Sequence, residues 1–374
     1  MFEQDFRVRE DCRWFVGEKP CRFKRLCQDC PEYAPWRGSI LVIKLAALGD
    51  VMRTTCILPS LARAYPEHCI TWVTDPAAAP LLRCSQGIDQ VLPYDFDSVF
   101  PLLAREFDLA LCLDKEPRAV GLLEQVRARR KLGFGMNRWG TPRPLNPEAA
   151  YAWRLGLDDE LKFHQNQLTY QEIIHQALDL GQPQAAYVFS PPEAARRFGR
   201  QTLARLGLEP ERTLGLVTGA GPVFAHKAWL PQRLAALADW ARDELGLKPL
   251  LLGGPEERDL NQEVAGLCRG PVADSQGRHD LVQFAGLVGL LRLVVVPDSL
   301  AMHLALAQGV PAVVLFGSTC PQEIMLSAPG RLLSAGLDCQ PCYRNRCDKP
   351  DHCMAALELE TVQAAVREVL QESA

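Results

Sequence analysis

Two apolar rhythms alternate along the chain: short β-branched runs and longer stretches of helical period. The run "ILVIKLAALGD" is unbroken at first, as suits a strand buried on both faces, and ends at Gly49 and Asp50. In "VMRTTCILPSLARAYP", Val51, Ile57, Leu58, Leu61 and Ala62 share one helical face that stops at Pro66. The pattern then predicts a strand in "CITWVTD", a helix near 77–84, a strand in "QVLPYD", a helix near 98–106, a strand in "DLALCLD" and a helix over 163–180. After the Pro-rich "GQPQAAYVFSPPEAARRF" the rhythm resumes. Strands are expected in "TLGLVTGAG", "KPLLLGGPEE", "LVVVPD" and "AVVLFG", with helices in "PQRLAALADWARDEL", "ERDLNQEVAGLC" and the segment through His303.

Strands separated by helices require crossover connections and therefore parallel sheets. A chain of 374 residues also exceeds what one core usually covers. The expected fold class is α/β, with two doubly wound Rossmann-like domains facing an interdomain cleft. The expected divisions are a Cys-containing extension over 1–38, a first domain over 39–185, a second over 186–335, and a Cys-containing loop with a terminal helix over 336–374.

Composition is that of a globular protein, 48% hydrophobic and 23% charged, and the net charge of −4 gives no general attraction to nucleic acid. One basic stretch runs from Arg118 to Arg154 and includes Arg129, Arg130 and Arg138, with Phe134, Trp139 and Trp153 interleaved. It reads either as a solvated helix end and loop or as an anion-binding surface. The charged start "MFEQDFRVRED" has no apolar core of a secretory signal, and no run reaches the ~20 apolar residues of a spanning helix. The expectation is a cytoplasmic protein that meets the inner membrane only peripherally.

Chemistry-bearing residues fall where strands end: Gly49 and Asp50; Gly219 and Gly221; Gly253, Gly254 and Glu256; and Asp298, Ser299 and His303. Open sheets bind ligands beyond such ends, and glycine turns leading into helices admit phosphate. Neither the dinucleotide fingerprint nor the P-loop is present. "HKAWLP" adds Lys227, a point charge suited to a departing diphosphate. The bland reading of each feature alone is a tight turn, an exposed lysine, or, at Asp298, a helix cap. "DFD" at 95–97 has the form of a glycosyltransferase metal motif but reads as a loop and helix cap.

Fourteen cysteines include two clusters. Cys12, Cys21, Cys27 and Cys30 have the spacing C-x8-C-x5-C-x2-C, enough thiolates for one zinc ion or one iron–sulfur cluster. Cys339, Cys342, Cys347 and Cys353 follow C-x2-C-x4-C-x5-C. Free thiols are the alternative for both sets.

The motifs "ILVIKLAALGDVMRTTCILPSLARAYP", "TGAGPVFAHKAWLP", "LLGGPEE" and "VVVPDSLAMHLALAQGVPAVVLFGSTCP", in this order, resemble those of glycosyltransferase family 9, the ADP-heptose:lipopolysaccharide heptosyltransferases. The resemblance covers about residues 39–370 and implies a GT-B fold with inverting, metal-independent transfer of heptose from ADP-heptose. It implies Asp50 as the base in the acceptor domain, Lys227 at the donor phosphates, Glu256 at the nucleoside, and Asp298 and His303 in the donor-binding Asp-Ser-Gly-x-x-His motif. Arg129, Arg130 and Arg138 then become candidates for an anionic glycan or glycolipid acceptor. The resemblance also implies a last helix that returns to the first domain and brings the two cysteine sets near each other. Two departures stand out, Leu300 where the motif has glycine and Pro297 where it has asparagine. The competing readings are a sugar-nucleotide epimerase of the same architecture and a non-catalytic sugar-nucleotide-binding or assembly protein.

Overall fold

The structure, a computed structural model, describes residues 8–221 and 226–373. The first half is a sheet of β1 (Gly38–Ile43), β2 (His68–Thr74), β3 (Gln90–Pro93), β4 (Glu106–Cys112), β5 (Arg127–Met136) and β6 (Pro142–Pro144), in the order β3-β2-β1-β4-β5-β6. The second contains β7 (Thr213–Val217), β8 (Lys248–Leu252), β9 (Ala273–Asp274), β10 (Leu293–Pro297), β11 (Ala312–Phe316) and β12 (Gly330–Ser334), in the order β12-β11-β10-β7-β8-β9. Among the strands of the described residues, only β6 runs antiparallel to its neighbour. The central strands are buried along their length, which is why they read as continuous apolar runs. The chain thus has the two-sheet α/β architecture of GT-B enzymes.

Several elements differ from the sequence reading. The helix expected after β1 is two helices, Leu48–Thr54 and Ile57–Ala64. Pro59 falls in the first turn of the second, where a missing N–H costs nothing, whereas a continuous helix would place it in the interior. The Thr55 hydroxyl, at the break, bonds back to the Met52 carbonyl. Near 98–106 there are two short turns, Phe96–Val99 and Phe100–Ala104, because Pro101 opens a new turn and β4 already begins at Glu106. Over 163–180 the helix proper is Tyr170–Ala177. It starts at a capping box of Thr169 and Glu172, and the turn Leu161–Gln165 before it is separated by the extended, buried Asn166.

The helix Glu193–Arg205 was hidden in the Pro-rich stretch. It packs on the helix Leu281–Val288 so closely that a Cβ on Gly199 would lie 2.6 Å from the Gly286 carbonyl oxygen. The terminal helix Leu359–Glu372 does not return to the first half. Its Val362, Val366 and Val369 pack with Leu214, Leu293 and Val313 of the second. Met52 and Leu81 of the first half are buried in the apolar cluster of the second, a burial that contributes about 1.5–3 kcal/mol each. No helix among the described residues is long and apolar enough to cross a membrane.

Candidate functional site

Strand order reverses at β1 in the first sheet, which lies between β2 and β4, and at β7 in the second, between β8 and β10. Beyond the carboxyl ends of these strands lie crevices where ligands bind in doubly wound sheets. Gly49 and Asp50 sit in the first turn of the helix Leu48–Thr54 that follows β1. Asp298 and Ser299 stand between β10 and the helix Leu300–Ala307, whose fourth residue is His303.

The two crevices meet at His303. Its ring lies against Gly49, where a Cβ would come within 2.3 Å of Cδ2 and 2.7 Å of Nε2. Its Nδ1 is 2.9 Å from the Tyr187 hydroxyl. Asp50 pairs with Arg53 at 2.8 Å, and the same guanidinium lies 3.7 Å from Glu323 of the second half and stacks over the Tyr170 ring. Asp298 is not a helix cap, since that position belongs to Ser299. Its Oδ2 instead accepts from Lys227 Nζ at 2.8 Å and from the Thr319 hydroxyl at 2.6 Å. The buried Ser299 hydroxyl has no hydrogen-bond partner among the described residues.

Burial alone would raise the Asp50 carboxyl, but Arg53, then Lys44 and His303, hold it down to about 2. Asp298 is likewise held below the usual carboxylate range, against burial, chiefly by Lys227. Burial, reinforced by the Arg53 charge, lowers His303 to about 4. At neutral pH the site therefore holds two carboxylates and an uncharged imidazole, so its fixed positive charge comes from Lys227, Arg53 and Lys44.

A second cavity, about 300 Å³, is lined by Gly219, Gly221, Ala228, Glu256 and Glu257. Glu257 organises its floor. Its carboxylate accepts from the Gly254 amide at 2.8 Å and the Gly221 amide at 3.3 Å. Side chains at Gly219 or Gly253 would strike it, since a Cβ there falls 2.5 Å from Glu257 atoms. Glu256 is exposed beside it and lines the same space. Leu300 packs half-buried against the second half's apolar cluster.

Not all expected residues converge. Arg129 and Arg130 lie in the amino-terminal part of β5, in register with Glu106 to Leu109 of β4, at the end of the sheet opposite Asp50. Arg129 is engaged by Glu106 and Asp108. Neither arginine reaches the cleft. Arg138 follows the carboxyl end of β5, exposed, with its guanidinium over the Trp139 ring. Asp95 caps the turn Phe96–Val99 by accepting from the Ser98 amide, as a loop and cap reading of "DFD" expects.

The cysteine sets line separate cavities, one around Cys12, Cys21, Cys27 and Cys30 and a small one around Cys339, Cys342, Cys347 and Cys353. They are not brought together, because the terminal helix stays on the second half. Among the described residues, no three His, Cys, Asp or Glu side chains are grouped so as to hold a metal ion.

Sequence reasoning missed several residues of the cleft. Lys44, read only as an interruption of an apolar run, is buried and bonds the Asp114 carboxylate and the Ala46 carbonyl. Lys115, just past β4, is lowered to about 8 by burial and then by the charge of Lys162. Lys162 lies over the Tyr343 ring, and its carbonyl accepts from Gln322 of the second half. A lysine at the end of an otherwise apolar strand run was the one signal available, since a buried charge needs a partner.

Residues 102–352 match the profile of glycosyltransferase family 9 (heptosyltransferase). The lipopolysaccharide core heptosyltransferase OpsX of Haemophilus influenzae is 23% identical over 316 residues, 76% of this chain and 81% of that protein. Among solved structures, a family 9 glycosyltransferase from Veillonella parvula superposes with a TM-score of 0.72 at 20% identity, covering 90% of this chain and 98% of that one. The Escherichia coli ADP-heptose lipopolysaccharide heptosyltransferase II superposes with a TM-score of 0.65 at 20% identity, over 90% and 100% of the two chains. With two thirds of its length inside the family profile and a cleft formed by the strand ends of two doubly wound sheets, the chain belongs to glycosyltransferase family 9 and is a glycosyltransferase.

Proposed function

We propose that the protein transfers heptose from ADP-heptose to an anionic lipopolysaccharide-type acceptor, with inversion and without a metal ion. The observation that carries this reading is the apposition of Asp50, an ionised carboxylate of the first half beside Gly49, to His303 of the second, on the helix that follows the Asp298–Lys227 pair. The relatives' printed activities supply the sugar and the acceptor class.

In the proposed reaction an acceptor hydroxyl attacks the anomeric carbon while the bond to the diphosphate breaks. The hydroxyl proton passes to Asp50, and the charge that develops on the diphosphate is met by Lys227 and by the amide end of the helix Leu300–Ala307. One displacement inverts the configuration and needs no enzyme nucleophile. A carboxyl near 2 is a weak base, so proton transfer comes late. An arriving diphosphate competes for the cations that depress Asp50 and so raises its basicity. The Ser299 hydroxyl is a ready donor to a phosphate oxygen. Glu256 meets the nucleoside in the cavity beside the glycine turn. Lys115, Lys162 and Arg138 then receive the acceptor's anionic groups, which for a glycolipid lie at the cytoplasmic membrane face.

The test is incubation of the full chain with ADP-heptose and a lipopolysaccharide inner-core acceptor, with and without EDTA. The product is read by mass spectrometry and its anomeric configuration by NMR. An inverted product formed at the same rate in EDTA is expected. Retained configuration contradicts the single displacement, EDTA inhibition contradicts metal independence, and change of the sugar nucleotide without acceptor contradicts transfer.

A further inference from the structure

One buried cation ties Asp50 to the second half. Arg53 lies in the last turn of the helix Leu48–Thr54 and pairs at 2.8 Å with Asp50, three residues earlier on the same face. The same guanidinium lies 3.7 Å from Glu323, in the turn Pro321–Glu323 of the second half. At that separation the two attract but do not hydrogen-bond. The Arg53 and Glu323 side chains are nearly closed to solvent, 13% and 11% exposed, whereas Asp50 is 37% exposed and open to a reactant. A buried guanidinium between two carboxylates has a choice of partner. The carboxylate it leaves regains affinity for a proton.

The surroundings fix the guanidinium and leave part of its donor capacity unused. It lies 3.7 Å from the centre of the Tyr170 ring, and the Tyr170 hydroxyl is anchored 2.8 Å from Thr54 Oγ1. Arg53 Nε is buried without a hydrogen-bond partner among the described residues. Glu323 is placed by the segment that carries it. Thr319 donates to Asp298 Oδ2 at 2.6 Å, and Gln322 donates to the Lys162 carbonyl of the first half at 3.4 Å. Residues 319–323 therefore touch the donor turn at Asp298, the first half and Arg53 in succession. These contacts form a continuous polar chain from the proposed donor site to Asp50.

We propose that Arg53 and Glu323 are positioning residues that free Asp50 for proton transfer once the donor is bound. As residues 319–323 settle around the donor, Glu323 accepts a direct hydrogen bond from Arg53, and Asp50 is released from the cation that competes with the acceptor proton. This role rests on the transferase reading, in which Asp50 is the base. It gives a carboxylate clamped by a cation a way to act as one, because the clamp is shared with a group on the half that holds the donor.

The other groups around this pair leave the acid limb of a pH profile to Asp50. Lys44, charged beside Asp114, and His303, lowered to about 4, also face Asp50 and are common to every variant below. Burial raises Asp114, which faces Lys44, and it too is common to all. Asp298, which also faces Arg53, is held below the usual carboxylate range, against burial, chiefly by Lys227. Burial raises Tyr170, Tyr187 and Cys56 near Arg53, and Cys320 and Tyr343 near Glu323, out of the acid range. Lys115, which faces Glu323 and is lowered to about 8 by burial and then by Lys162, belongs to the alkaline limb.

The test is the pH dependence of kcat, at saturating donor and acceptor, for the full chain, Glu323→Gln, Arg53→Gln and the double variant. Glu323→Gln leaves Arg53 wholly to Asp50. Its kcat is expected to fall about 10-fold with the acid limb moved to lower pH, while donor Kd and acceptor KM stay unchanged. In the Arg53→Gln background Glu323→Gln is expected to change neither kcat nor the limb, because it acts through the guanidinium. An equal loss from Glu323→Gln with and without Arg53, a loss confined to KM, or an unmoved acid limb overturns the proposal. If Arg53→Gln does not fold, the limb and the kcat-against-KM split of Glu323→Gln decide alone. A parent chain without transfer activity counts against the transferase reading, and the link is then read by NMR of protein labelled with ¹³C-aspartate. ADP is expected to raise the Asp50 midpoint in the parent and not in Glu323→Gln; no effect of ADP, or the same effect in both, overturns the proposal.

Discussion

The imidazole of His303, carried by the second half, lies on Gly49 of the first, at a spacing that leaves no room for a methyl group. Gly49→Ala therefore forces the ring, and with it the two halves, apart. The expected result is a loss of about 1–3 kcal/mol in unfolding free energy and a roughly 10- to 100-fold fall in kcat/KM. Adding His303→Ala to that variant is expected to restore the unfolding midpoint without restoring activity. If Gly49→Ala leaves both quantities unchanged, the two halves do not meet through this contact.

His303 also makes stability depend on pH. Its folded value of about 4 lies below the ~6.5 of an unfolded histidine, so between them the unfolded chain binds more protons. The stabilisation is complete above about 6.5 and is lost as pH falls toward about 4, roughly 3 kcal/mol in all. Urea unfolding across this window is expected to show a shallower slope in His303→Gln than in the parent. Equal slopes would mean that this imidazole titrates normally.

Asp50 and Lys227 separate chemistry from donor binding. Asp50→Asn removes the proposed proton acceptor but no contact to the donor, so kcat is expected to fall by about 10²–10⁴-fold with donor Kd unchanged. A variant that keeps its kcat would assign the proton elsewhere.

Lys227→Met removes charge from the proposed diphosphate site and leaves the Asp298 carboxylate with Thr319 alone from its close pair of donors. The expected loss is about 10²–10³-fold in kcat/KM, visible in steady-state kinetics at saturating acceptor. Donor Kd should weaken as well, in contrast to Asp50→Asn. An unaltered donor Kd places the diphosphate away from Lys227.

The alternation of buried apolar runs with helical stretches made both sheets legible, because central parallel strands bury both faces. β5 was not legible: Arg127, Arg129 and Arg130 give it a polar start, and its apolar part, Leu132 and Phe134, is too short to show a period. Those arginines misled for the same reason, since charge density along the chain does not say which end of a strand it occupies. The Asp298, Ser299 and His303 group was readable because polar residues interrupt two core strands. The bridge through Arg53 to Glu323 was not, because it joins residues 270 positions apart through a fold that single-residue patterns do not encode. His303 was implied as a donor-site residue, and deep burial beside Arg53 keeps it uncharged.

Binding of ADP-heptose by the second half at the Asp298 turn underlies every step of the proposed transfer. Calorimetry of the purified protein with ADP-heptose, ADP, UDP-sugars and GDP-sugars, beside Asp298→Ala, tests this directly. Selective binding of ADP-heptose that disappears in Asp298→Ala is the predicted result. Preference for a UDP- or GDP-sugar, or ADP-heptose binding that survives the substitution, would contradict it.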